Sequence, residues 1–241
     1  TKRKQHATGF KTNHQGSAAA HCADAAGLRC AAGQLAEAAA AGFHIIAVVS
    51  AQGKTTDRLL QSTAELTAHP ACREADQLLA TGEQASAALM AMTLQERGLS
   101  AVSLTGWQAG IHTDGNHAAA EITALHRRRI LRELEAGNYT QPLRSIALLP
   151  GGEKFGFMPA CDTTAVALAA AFDACGCRIC TDVDGVYDRD PREFPQSRRY
   201  ERIPYDEMLE MAEGGAKVLH PRSVFRARKY RGPRKVRRTG A

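Results

Sequence analysis

The chain has 241 residues, 44% apolar and 23% charged, with a formal net charge of +6. That size suits one large α/β domain or two small ones. No apolar run approaches the roughly 18 residues of a membrane-spanning helix, so a membrane partner is not expected.

Residues 1–21 are polar and show no clear period. Thr1-Lys-Arg-Lys-Gln-His6 is basic, but the apolar core of a signal peptide does not follow it, and a cytoplasmic protein is the expectation. Cys22–Ala41 is Ala-rich and helical in character, with Gly42 placed to end it. Ile45-Ile-Ala-Val-Val49 is a continuous apolar run suited to a strand buried on both faces. Ser50–Thr56 is the turn after it, and helix resumes from Asp57. Glu83–Arg97 predicts a strong helix closed by Gly98. Ser100–Thr105 predicts a short strand, and Ala124–Ala136 a helix followed by Gly137. Residues 138–161 are poorly patterned. Thr163–Phe172 predicts an apolar helix, Arg178–Val183 a strand and Tyr205–Ala212 a helix. Alternating strands and helices argue for a mainly parallel sheet covered on both faces.

Seven cysteines are scattered without a framework. Cys175-Gly-Cys177-Arg-Ile-Cys180 has the spacing of half a zinc site, yet Cys22, Cys30, Cys72 and Cys161 stand alone. A closed site needs four ligands from paired clusters. Buried free thiols in a reducing compartment are the expectation, with no metal site. The net charge is local as well. Eight Lys or Arg and no acid lie between Arg226 and Arg238, leaving 23 basic against 25 acidic residues elsewhere. Such a stretch either binds nucleic acid or an anionic surface, or is a solvated end. Solvation is expected, and a nucleic-acid partner is not.

Gly53-Lys54-Thr55 has the look of a P-loop end, but Val48 stands where the first P-loop glycine is required. What remains is a strand-to-helix turn rich in hydroxyls, Ser50, Thr55 and Thr56. Free N–H groups at a helix start attract anions there; any one hydroxyl is also a structural N-cap.

Several segments together resemble the aspartate kinases of the amino acid kinase family. They are Val49-Ser-Ala-Gln-Gly-Lys-Thr-Thr-Asp57, Leu79-Ala-Thr-Gly-Glu83, Ser103-Leu-Thr-Gly-Trp-Gln-Ala-Gly110, Asp162-Thr-Thr-Ala, Thr181-Asp-Val-Asp-Gly-Val-Tyr187, Asp190-Pro-Arg192 and Gly215-Ala-Lys-Val-Leu-His-Pro. The likeness is strong over residues 45–137 and 162–223. It implies a three-layer α/β/α sandwich with a mainly parallel central sheet. It also implies one domain over 1–241, with an amino acid lobe at about 1–137, an ATP lobe at about 138–241 and no regulatory ACT domain. The implied reaction is ATP-dependent phosphorylation of the L-aspartate side-chain carboxylate, the first step toward lysine, threonine and methionine, with ATP and Mg²⁺ required. The implied assembly is a homo-oligomer or a complex with an ACT-containing partner.

Residue by residue, the resemblance puts Ser50, Thr56 and Glu83 on the amino acid substrate. Glu83 pairs with the substrate's amino group, which competes with a plain helix-dipole role for a glutamate at a helix start. Asp162 and Lys217 belong at the reaction centre. Thr181, Asp182, Tyr187, Arg192 and Lys217 line the nucleotide. Asp162 before two threonines is otherwise an ordinary N-cap, and Trp107 otherwise a packing residue.

The chain departs from the family in two places. Lys-Phe-Gly-Gly-Thr-Ser, expected after a first strand over residues 8–15, is replaced by Gly16-Ser-Ala-Ala-Ala-His21. Gly-Arg-Gly-Gly-Ser before the aspartate is replaced by Phe157-Met-Pro-Ala-Cys161. Three readings stay open: an inactive nucleotide-binding homologue, an enzyme with substituted cations such as Lys11 or Lys154, or coding DNA read out of frame. The last accounts for Ser17-Ala-Ala19, which is Phe-Gly-Gly shifted by one base in GC-rich DNA. A same-fold kinase for another acid is a further alternative.

Overall fold

A computed structural model describes residues 15–20, 24–117, 120–136, 145–150, 161–181, 185–189, 193–214, 224–225, 227–228 and 234–238. Its centre is a six-stranded sheet built from β1 (Gln15–Ala20), β2 (His44–Val49), β3 (Ser100–Ser103), β6 (Ser145–Pro150), β7 (Gly176–Thr181) and β10 (Arg234–Arg238). The order is β10-β7-β1-β2-β6-β3, and every pairing is parallel. Strand β6, from late in the chain, lies between β2 and β3.

Parallel strands need crossover segments, and helices supply them. Helices α1 (Ala25–Ala40) and α3 (Cys72–Glu96) cover one face; α4 (Arg128–Ala136) and α5 (Cys161–Ala171) cover the other. Strand β2 shows why both faces close. Ile45, Ala47 and Val49 pack under α1 and α3, while Ile46 and Val48 pack under α4 and α5. The unbroken apolar run thus feeds two cores, which is the expected signature of a central parallel strand. Each fully buried aliphatic side chain contributes about 1.5–3 kcal/mol.

The helix ends follow from single residues. Asp24 caps α1 by accepting from the Gly27 amide at 2.8 Å. Gly42 then takes φ +102°, its amide bonds Ala39 O at 2.9 Å, and the Phe43 amide bonds Ala38 O at 3.2 Å. Gly98 repeats the device after α3: φ is +76°, and the Leu99 amide bonds Leu94 O at 3.1 Å. In both places a left-handed glycine satisfies the last carbonyls and turns the chain into a strand.

Two antiparallel pairs sit off the main sheet. One is β4 (Ile111–Thr113) with β5 (Ile122–Leu125); the other is β8 (Val186–Tyr187) with β9 (Arg199–Tyr200). The second pair joins α6 (Tyr205–Glu213) over a small core of Val186, Met208, Ala212 and Val224.

Several expectations need correction. A strand covers Gln15–Ala20, so the Gly16–His21 stretch that stands in place of the family's motif after the first strand is itself mostly strand; residues 8–14 lie outside the described residues. Gly and Ala have little β propensity, but β2 and β7 offer hydrogen-bond ladders on both sides and impose the extended state. Helix α3 begins at Cys72, so Glu83 lies inside a 25-residue helix rather than at its start. Asp76 and Glu83 on the buried stripe hid the apolar period. The predicted helix over Ala124–Ala136 is β5 to Leu125 and α4 only from Arg128. The unpatterned 138–161 stretch holds β6, whose Ile146–Leu149 run is short and ends at Pro150. Part of the basic stretch expected to be a solvated end, Arg234–Arg238, is a strand at the end of the described sheet order. Finally, of the three clustered thiols expected to be buried in a strand, Cys177 and Cys180 are buried on opposite faces of β7, while Cys175 precedes the strand and is exposed.

Candidate active site

The carboxyl ends of the central strands are flush. Ala20 of β1 stands level with Val49 of β2 on one side and Cys180 of β7 on the other. Ser50 and Thr181, one residue further along, therefore face each other at the same height across the end of β1. Two inter-strand spacings put their backbones about 10 Å apart. Val49 is in turn level with Pro150 of β6.

The turn after β2 is tight. Gly53 takes φ +51°, and the Thr55 amide bonds Gln52 O at 3.0 Å. Helix α2 (Thr55–Leu66) follows with Lys54 at the N-cap and no side-chain capping bond. The N-cap role therefore does not engage Ser50, Thr55 or Thr56, and the first turn of α2 keeps its hydroxyls beside the carboxyl edge.

Helix α3 reaches this turn through Gly82. A methyl group at Gly82 would stand 3.0 Å from Thr55 Cγ2, 3.3 Å from Ala51 Cβ and 3.5 Å from Leu59 Cδ1. Glycine is what lets α3 lie directly on the Ser50–Thr56 segment. The next residue, Glu83, is carried into that contact region and is only 5% exposed. A carboxylate is buried at such a place only when it is paired or hydrogen-bonded.

Helix α5 crosses from β6 to β7 and packs on β1, β2 and β7. A crossover helix runs antiparallel to its strands, so its first turn lies at the same carboxyl edge. Asp162 is the second residue of α5, inside the first turn rather than at the N-cap, and 7% exposed. There it adds negative charge at the positive end of the helix dipole. On the far side, Thr181 ends β7, and Tyr187 pairs with Arg199 in the β8–β9 ladder. Gly185 keeps that ladder close, because a methyl there would meet Arg199 Cδ at 2.9 Å.

Ser50, Thr56, Glu83, Asp162 and Thr181 thus come from the turn after β2, α2, α3, α5 and β7, which meet at one edge, with Tyr187 just beyond β7. Asp182, Arg192 and Lys217 lie outside the described residues, as do Lys11, His21, Lys154 and Phe157–Ala160.

Sequence reasoning missed two hydroxyls. Thr163 Oγ1, in the first turn of α5, and Thr105 Oγ1, just past β3, are buried and without a hydrogen-bond partner among the described residues. An orphaned buried hydroxyl costs about 1–3 kcal/mol. The Thr105 turn is otherwise well built. Its amide bonds Gln108 Oε1 at 2.9 Å, and Gly110, at φ +81°, lies so close to His126 O that a methyl would come within 2.5 Å.

Open parallel sheets bind ligands beyond the carboxyl ends of their strands, and this edge has that construction. The chain belongs to the amino acid kinase family, whose pattern matches residues 16–237. Within that family it is similar to the aspartokinase of Geobacillus stearothermophilus, 47% identical over 81% of this chain and 48% of that protein. The chain thus spans about half the length of the curated relatives it matches. Among solved structures it resembles aspartate kinase from Synechocystis, with TM-score 0.78 and 35% identity over 95% of this chain and 38% of the other. It shares its fold with E. coli aspartokinase III, solved in complex with aspartate and ADP, at TM-score 0.76 and 23% identity over 94% of this chain and 62% of that one.

Proposed function

We propose that this chain is the aspartate- and ATP-binding part of an aspartokinase. The observation that carries the reading is the seating of Gly82–Glu83 on the Ser50–Thr56 turn, at a strand edge that also receives Asp162 and Thr181. The aspartokinase relatives supply the substrate.

In this reading the amino acid lobe, about residues 1–137, holds L-aspartate. Glu83 faces the substrate's ammonium group, which offsets the burial of both charges. Ser50 and Thr56 donate hydroxyl hydrogen bonds. The other lobe, about 138–241, holds Mg-ATP, the metal arriving as part of the substrate. Thr181, Asp182, Tyr187, Arg192 and Lys217 line the nucleotide, and Asp162 orders the cationic groups around the γ-phosphate. The substrate carboxylate oxygen attacks the γ-phosphorus. The P–O bond to the β-phosphate breaks, and ADP leaves with that bond's electrons. A carboxylate nucleophile needs no general base, so rate depends on holding two anions in line and neutralising the transferring group. A cytoplasmic location and assembly with like or ACT-containing subunits belong to the same reading.

The alanine-rich β1 end favours a second reading, nucleotide binding without transfer, because Gly16–Ala20 brings no cation to the phosphates. One experiment separates the two. Purified protein is given aspartate, Mg²⁺ and ATP; aspartyl phosphate is trapped as its hydroxamate, and ATP binding is followed by calorimetry. Turnover supports the kinase, while binding alone supports the second reading. Neither would remove both.

A further inference from the structure

Asp76 is a buried carboxylate that the proposed reaction does not use; its side chain is 5% exposed. It sits on the buried stripe of α3, seven residues and therefore two turns before Glu83, about 10 Å along the helix axis. His117, 41 positions away in sequence, reaches it from the connection between β4 and β5. Its Nδ1–H donates to Asp76 Oδ2 at 2.8 Å, and its side chain is 25% exposed.

The hairpin is held at two points. At its base, Leu104, Ala109 and Ile111 enter the main core, and the His126 amide bonds Gly110 O at 2.8 Å. Beyond β4, Asp114 Oδ1 accepts from the Asn116 and Glu121 amides, each at 3.1 Å, and Gly115 takes φ +76°. That local order presents His117 to α3. Between the two anchors, His112, Thr123 and Ala124 are exposed. The base is packed by apolar contact, while the tip is attached through the hydrogen bond from His117 to the buried Asp76 carboxylate.

We propose that Asp76 and His117 form a strap that positions the β4–β5 hairpin against the N-terminal half of α3. The strap thereby sets the wall of the cleft beside Glu83, and both are positioning residues for the amino acid substrate. This rests on the aspartokinase reading above. It assigns the strap to aspartate recognition and not to the nucleotide, which binds across β1 on the β7 side.

The test titrates purified protein with L-aspartate and, separately, with ATP. Trp107, the single tryptophan, lies in the turn leading into β4 and provides a fluorescence readout beside calorimetry. His117→Ala is expected to weaken aspartate binding at least tenfold while ATP affinity stays within twofold. His117→Gln keeps an N–H donor and is expected to recover most of the loss. The pair Asp76→Asn with His117→Ala removes the strap without leaving the Asp76 carboxylate beside the space of the lost imidazole, and carries the test if the single variant does not fold. Aspartate affinity within twofold of the parent in that pair overturns the proposal. So do equal losses for both ligands, or failure of both variants to fold, since either result makes the contact purely structural. A parent protein that binds ATP but no aspartate sinks the aspartokinase reading itself, and the strap falls with it.

Discussion

Replacing Gly82 with alanine sets two effects of similar size against each other. In an exposed helix interior the change would stabilise by about 1 kcal/mol through propensity alone. At this position the new methyl meets Thr55 Cγ2 at 3.0 Å and Ala51 Cβ at 3.3 Å, both on the turn that carries the substrate hydroxyls. Overpacking of this kind costs about 1–3 kcal/mol, so the net effect is a loss of about 1 kcal/mol and a Tm lower by about 2–4 °C. The neighbours relieve the contact by moving Thr55, and Thr56 moves with it. The aspartate KM is therefore expected to rise about tenfold with the ATP KM nearly constant. Thermal melts and two-substrate kinetics on the same preparation measure both. A Gly82→Ala protein that melts higher than its parent, with an unchanged aspartate KM, would show that α3 does not lie on the turn as closely as argued.

Glu83→Gln keeps the shape and removes the charge. Hydrogen bonds to charged groups are worth about 1.5–3 kcal/mol, so aspartate affinity is expected to fall about 10- to 100-fold in calorimetry, with ATP affinity retained. Gly98→Ala tests backbone strain alone, because φ is +76° and nothing lies within 4 Å of the added methyl. Urea unfolding should register a loss of about 1–2 kcal/mol with both KM values unaltered. Asp24→Ala removes the α1 cap and should lower stability by about 1 kcal/mol in the same assay; an unchanged midpoint would mean that solvent caps the helix equally well.

The parts of the fold legible in the sequence are those where one residue type determines the local state. Gly42 and Gly98 announced helix ends because only a left-handed residue closes them, and Ile45–Val49 announced a central strand because it is apolar on both faces. Strand β1 was illegible, since Gly and Ala become extended there only through pairing with distant partners. Strand β6 was hidden because its apolar run, Ile146–Leu149, ends at a proline within an otherwise unpatterned stretch, and the start of α3 by two carboxylates on its inner face. The turn over Ser50–Thr56 was readable from its hydroxyls between a strand and a helix. Thr105 and Thr163 were not, because a buried hydroxyl lacking a partner leaves no trace in residue order. The contact between Asp76 and His117 likewise exists only once the hairpin and α3 have met.

The pairing of Gly16 with Gly176 spans 160 positions of chain. At a synthesis rate of about 5–20 residues per second, the ribosome works for roughly 10–30 s between making the two partners. Throughout that interval the nascent β1 lacks the neighbour on one side that the finished sheet provides. A strand with so little intrinsic preference for extension spends that time uncommitted. The β1–β7 seam, in the middle of the sheet, thus closes only once synthesis has reached β7, long after β1 and β2 are able to pair.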